Sequence, residues 1–263
     1  MHISAYGAAI AVIGPAILAA PLASAPPAAA VAGAPAAQVT MAVPVAAAQQ
    51  PGGMQMMVRS ARDYADQLRH LHGAAFEQAF LGAMIPHHAA AVAMARQELI
   101  RGSRPQVKAL AGRIIRAQNL EIAQMTGWLR DWYKVTPAQA RQRAPASLTK
   151  TSAAMADHTR SMTNQLTSVP SGSQFDEAFL TGMIAHHKMA VIEASTVPGR
   201  ARHSQLTTLA RHIIATQSRE IAQMTTWQRM MNTCHPRHHM MGTCQPGHHM
   251  MNPGQHMMSP GHH

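Results

Sequence analysis

The sequence predicts an all-α protein: a four-helix bundle assembled from two duplicated helical hairpins, with a disordered N-terminal segment and a Met/His-rich C-terminal segment. Three observations predict it. Residues 76–95 match 175–194 at 11 of 20 positions, and 109–128 match 208–227 at 12 of 20, both at an ungapped offset of 99. Self-similarity at a fixed offset marks a duplicated structural unit. Apolar residues recur at helical spacing, with Ile114, Gln118, Glu121, Met125 and Trp128 on one stripe, and no stretch alternates convincingly as a strand. Each unit reads as two long amphipathic helices, which bury their apolar faces best against another such pair.

The first 58 of the 263 residues hold no Asp, Glu, Lys or Arg. Residues 10–20 have the apolar character of a secretory signal, and small-residue patterns near 22–25 and before Gln49 offer cleavage sites, so residues 1–25 are assigned as a signal peptide. Gly14, Pro15 and Pro21 interrupt the run, which is also short for a membrane span. The Ala/Pro/Gly-rich stretch 26–58 reads as a flexible linker. The first helical repeat is placed at 59–135. It has an N-terminal helix near 59–72, a helix over 76–101 ending at Gly102, and a helix over 105–132 opened by a capping box in "SRPQ" (103–106). Residues 136–173 read as linker helices: a short one opened by Thr136, Pro137 and Gln139, and one over 147–167. The second repeat is placed at 174–229, with Ser173 and Asp176 as caps of its first helix and Pro198–Gly199 as its turn. Residues 230–263 form the tail.

Composition narrows the function. The formal charge is +11, but no basic run exceeds two residues and aromatics are only 4% of the chain. A nucleic-acid surface would need a basic stripe or aromatic platforms. Two cysteines cannot build a disulfide scaffold or a four-thiolate zinc site. Eighteen histidines and 21 methionines are far above ordinary usage.

The helical motif "MIPHHAAAVAMA" (84–95) returns as "MIAHHKMAVIEA" (183–194). Residues three and four apart share a helix face, so Met84 stands one turn from both His87 and His88. Met94 lies on the side of His87, and Met189 and Glu193 follow His186 by three and seven. The partner helices contribute Gln118, Glu121 and Met125, repeated as Gln217, Glu220 and Met224. Thioethers and imidazoles together suit Cu(I), Ag(I) or, through imidazole and carboxylate, Cu(II). The glutamates are either exposed or accept hydrogen bonds from the histidines. Methionine at this spacing is also ordinary core filler, so Met84 and Met183 stay open between the two roles. Pro86 removes a backbone hydrogen bond beside the motif, although Ala185 takes its place in the second copy.

The tail carries the clearer chemical signal. "MMNTCHPRHH" is followed by "MMGTCQPGHH" and two shortened versions, giving eight Met and eight His over 230–263 with Arg237 as the only charged residue. Turn formers and the lack of helical period leave no core for these side chains to fill, so metal capture explains them best. The candidate ligands are Met230, Met231, Cys234, His235, His238, His239, Met240, Met241, Cys244, His248, His249, Met250, Met251, His256, Met257, Met258, His262 and His263. Cys234 and Cys244 are either thiolate ligands or a disulfide pair. The scarcity of carboxylates argues against calcium and magnesium.

On "FEQAFLGAMIPHHAAAVAMA", "FDEAFLTGMIAHHKMAVIEA" and the two "EIAQM" segments, the chain resembles the family called domain of unknown function 305, ferritin-like helical proteins of bacteria. The resemblance covers roughly residues 75–130 and 174–228. It implies an exported protein that binds copper, and in some members silver. By resemblance the metal-binding positions are Met84, His87, His88, Met183, His186, His187 and Met189. Ala90 stands where the second copy has Met189, so the first site would be weaker or would borrow Met94 or Met125.

The expected function is therefore that of a periplasmic or secreted copper-binding protein, taking Cu(I) or Cu(II) and also Ag(I), that buffers or transfers copper and supports copper tolerance. Its partners would be copper ions and a copper exporter or metallochaperone, with no nucleic acid and no membrane-integral part. No nucleophile and base stand together, and no enzymatic activity is expected. A carboxylate-bridged oxidase would need Glu-x-x-His motifs, which "EIAQ" replaces. The alternative is a nickel or zinc store using the His-rich tail, against which the paired methionines count.

Overall fold

The computed structural model of the chain describes residues 51–233. They form seven helices: α1 (Pro51–Leu68), α2 (Gly73–Arg101), α3 (Pro105–Tyr133), α4 (Pro137–Arg143), α5 (Ala146–Ser168), α6 (Ser173–Ala194) and α7 (Ser204–Thr233). Two hairpins, α2–α3 and α6–α7, make the bundle. Gly172, at the head of α6, donates its N–H to Arg101 O at the foot of α2, and Gly73, at the head of α2, donates to Arg200 O just beyond α6. The two first helices therefore run antiparallel. Both are buried along most of their length, with Phe76, Phe80, Leu81, Met84 and Met94 of α2 and Phe175, Phe179, Leu180, Met183 and Met189 of α6 shielded from solvent. The Ala-rich sequence of α2 suits this central place, because small side chains let neighbouring helices approach.

The outer helices repeat the exchange. α5 lies on α2 and α1 lies on α6, so each central helix is covered by a helix from outside its own hairpin. α4 packs on α2 beside α3, where Gly82 makes room: a Cβ there would stand 3.0 Å from Arg141 N.

The capping pattern differs from the sequence expectation. "SRPQ" does not form a capping box. α3 starts after Arg104 with no cap from its own side chains. Asp176 of α6 accepts instead from Ser103 N (3.0 Å), Ser103 Oγ (2.6 Å) and Arg104 N (3.2 Å). Asp176 is thus a cap, but of the other repeat's helix rather than of α6, which begins after Gly172. Its duplicate Glu77 does the same in reverse, accepting from His203 N and Nδ1, both at 2.7 Å, at the head of α7, and from the Tyr133 hydroxyl. A fully buried carboxylate satisfies orphan helix donors and the positive end of the helix dipole together. Trp132 stacks on the His203 ring at 3.8 Å, closing this end of the bundle.

Two boundaries move. Residues 51–58, read as linker, are the first turns of α1, and Met57 of that stretch is buried. Residues 230–233, read as the start of the tail, complete α7, with Met231 buried in the core and Met230 exposed. Met231 is core filler, which the tail reading excluded. The Thr136–Gln139 capping box of α4 forms as read. The assigned signal peptide and most of the assigned linker lie outside the described residues. Among the described residues, no helix is long and apolar enough to cross a membrane.

Candidate metal centre

The antiparallel crossing of α2 and α6 brings the two histidine pairs together. His87 and His186 face each other with ring centroids 3.7 Å apart. His88 and His187 turn outward toward the second helix of their own hairpins. His88 Nε2 lies 2.9 Å from Glu121 Oε2, and His187 Nε2 lies 2.8 Å from Glu220 Oε2. The two adjacent histidines of each helix therefore divide the work: one faces the pseudo-two-fold centre and one is held by a carboxylate. Glu121 and Glu220 are hydrogen-bond partners of histidine, resolving the two options the sequence left open. An imidazole whose one nitrogen is fixed by a carboxylate presents the other in a defined tautomer and orientation.

All four rings are buried, and six of their eight nitrogens have no hydrogen-bond partner: both of His87, both of His186, and Nδ1 of His88 and of His187. Buried polar nitrogens are normally paired, so this concentration calls for a reason. Burial, reinforced by the neighbouring histidines, holds His87 and His186 well below the ordinary histidine pKa. They are neutral, the form that ligates metals.

Met84, Met94, Met125, Met183, Met189 and Met224 are all fully buried in the same core. Met94 reaches across to α6, where a Cβ on Gly182 would meet Met94 Cε and Met162 Sδ, each at 3.1 Å. Met162 of α5 was not among the sequence candidates. Its spacing of seven from Met155, which is also buried, was the available signal. Ala90, the counterpart of Met189, is only half-buried. Among the described residues no three His, Cys, Asp or Glu side chains are placed to hold one metal ion together. A metal ion held in the bundle would have to draw on thioether sulfur or on rotation of the rings. The candidates Cys234, His235, His238, His239, Met240, Met241, Cys244, His248, His249, Met250, Met251, His256, Met257, Met258, His262 and His263 lie outside the described residues.

Three buried carboxylates lie near this core, of which only Glu98 escaped sequence reading. Glu193, the counterpart of Met94, is buried with both oxygens unpartnered, and burial pushes its pKa up to about 8. Glu98 is buried beside Asp176, and burial together with that neighbour raises it to about 9. Gly102 is required where they meet, since a Cβ would stand 1.9 Å from Glu98 Oε1 and 2.8 Å from Asp176 Oδ1. Asp176 is the third, in its cross-capping role. His212 of α7 adds a further contact across the bundle, with Nε2 4.0 Å from Glu121 Oε1.

The family model for domain of unknown function DUF305 matches residues 29–126, 84–228 and 186–262, which together take in both hairpins. The chain belongs to the DUF305 family. Among solved structures it is similar to CopM in the Cu(I)-bound form, at 32% identity and a TM-score of 0.47, over 59% of this chain and 96% of that one. CopM in the Cu(II)-bound form is similar at 29% identity and a TM-score of 0.47, over 59% and 97%. A DUF305 protein from Streptomyces coelicolor is similar at 23% identity and a TM-score of 0.50, over 59% and 93%, and shares the helical fold. No curated protein matches the chain.

Proposed function

We propose that this DUF305 protein binds copper outside the cytoplasm, as Cu(I) or Cu(II) and also Ag(I), and buffers or transfers it. One observation carries the reading: four buried imidazoles, two of them face to face at the centre of the bundle, hold six unpartnered nitrogens in a core that contains ten buried methionines, six of them fully buried. Neutral imidazole and thioether together favour a soft, monovalent cation, and the absence of carboxylates from residues 230–263 disfavours calcium and magnesium there. Thioether sulfur adds little for nickel or zinc, so copper and silver fit the donor set better. The Met/His repeats after residue 233 supply further donors of the same kind. The charge-free, apolar N-terminal stretch supports export.

The test is a Cu(I) competition titration of the full chain against a variant carrying His87→Leu and His186→Leu. We expect fewer tightly bound equivalents, with helical circular dichroism unchanged. Equal affinity and stoichiometry in the two proteins would overturn a copper site in the bundle. Nickel or zinc, without copper, in protein purified from its native compartment would overturn the choice of metal.

A further inference from the structure

The two halves of the bundle are not covered alike. On the first half, α4 lies over α2 beside α3. Its Ala140 is buried, Arg141 Nη1 donates to Gly82 O at 3.3 Å, and Arg143 Nη1 donates to Gln78 Oε1 at 3.5 Å. On the second half, the corresponding face of α6 is the floor of a groove of about 1200 Å³ between α1 and α7. The correspondence is residue by residue: Thr181 and Glu177 of the groove stand at the offset of 99 from Gly82 and Gln78. Among the described residues no helix lies over this face in the place that α4 takes on α2.

We propose that residues 235–242, the first part of the Met/His tail, dock in this groove in the place α4 holds over α2. Three observations select this occupant. The duplication predicts it, because 136–143, which caps and forms α4, falls on 235–242 at the same offset. Pro137 follows Trp128 by nine residues, and Pro236 follows Trp227 by nine. The path of the chain permits it, because Asn232, in the last turn of α7, is part of the groove wall, so the next residues leave from its edge. The chemistry also matches. Thr181 replaces Gly82, so an occupant cannot approach the α6 backbone as closely as Ala140 and Arg141 approach α2. The segment correspondingly has the larger His239 where α4 has Ala140, and Met240, uncharged, where α4 has Arg141. Val58, Ile192 and Ile221 offer apolar contact to methionine, and Glu177 is an acceptor on the groove for the segment's histidines, although the position equivalent to Arg143 is Gly242. Docking would anchor the root of the tail and leave the later repeats, from residue 243 on, to extend from the α6 side of the bundle.

The experiment is photo-cross-linking of the full chain, with benzoylphenylalanine placed at exposed Lys188 on the groove, and at Ile100 of α2, also exposed, as the control. We expect cross-links within one chain from position 188 to residues 235–242. We expect none to that segment from position 100, and loss of the 188 cross-link when Thr181→Arg fills the groove. Cross-links from 188 spread evenly over 234–263, cross-links only to a second copy, or no cross-link to the tail would each overturn the proposal.

Discussion

The two hairpins share a sequence pattern yet have diverged at the positions nearest the histidines. The first has Ala90 and Met94, and the second has Met189 and Glu193 at the equivalent places. One buried thioether has in effect been lost from each copy at a different point and gained at another, so the donor set is distributed over both halves rather than repeated. What is kept in duplicate is different: the His pair, its glutamate, and the cross-capping acid. The duplicated features hold the geometry, and the divergent ones set the donors. A protein with two independent, identical sites would show the opposite pattern.

The comparison can be broken or sharpened by four measurements besides the histidine titration. The largest expected effect is structural. Asp176→Ala leaves the donors of Ser103 and Arg104 without their buried acceptor and should cost about 3 kcal/mol in urea unfolding. Glu77→Ala should cost less, because Trp132 stacking still holds His203 in place. If Glu77→Ala proves the costlier change, the second interface is the principal one. Gly102→Ala should follow at about 2 kcal/mol, since its Cβ would overlap the buried Glu98 carboxyl, and a crystal structure of the variant would show that side chain displaced.

The next effect is on metal. Glu220→Gln weakens the acceptor that orients His187, and should lower Cu(I) affinity about tenfold, the lower end for partners of metal-ligating histidines. Glu121→Gln should lower it less, because its repeat lacks the methionine of position 189. Equal losses, read by competition with a Cu(I) chelator, would point to one shared centre between His87 and His186.

The last effect is confined to a pH profile. Glu98 holds its proton in the folded protein up to about 9, against an ordinary value of 4.5. Between those values the folded state binds a proton that the unfolded state has released, so stability falls as pH rises through the window, and this contribution is gone above about 9. Glu98→Gln should flatten that slope in thermal melts taken from pH 5 to 9, and an unchanged slope would place the titrating group elsewhere.

Much of this could be read before any coordinates. Helix identity followed from spacing, since the stripe Ile114–Gln118–Glu121–Met125 is buried along α3. The pairing of histidine with glutamate was one of two readings that the duplicated "HH" and "EIAQM" segments allowed. The contact between His87 and His186 was not legible, because it depends on the antiparallel crossing of two helices nearly a hundred residues apart in sequence. Capping failed for a related reason. "SRPQ" satisfies the local rule, but Asp176 provides an acceptor that is buried, charged and better placed, and no local pattern reports a partner from another helix. Met231 was misread because the repeat "MM" recurs through the tail, although at this first occurrence α7 still has a core to pack against.

The exchanged caps bear on how such a chain could have come about. Neither hairpin closes the head of its own second helix: Glu77 closes α7, and Asp176 closes α3. A single hairpin would be incomplete alone, while two copies of one hairpin would complete each other, as the subunits of a symmetric dimer do. The tandem chain is that dimer with its subunits tied through α4 and α5, so their association no longer depends on concentration. Once tied, the halves no longer had to stay identical, and one could keep Met94 while the other took Glu193.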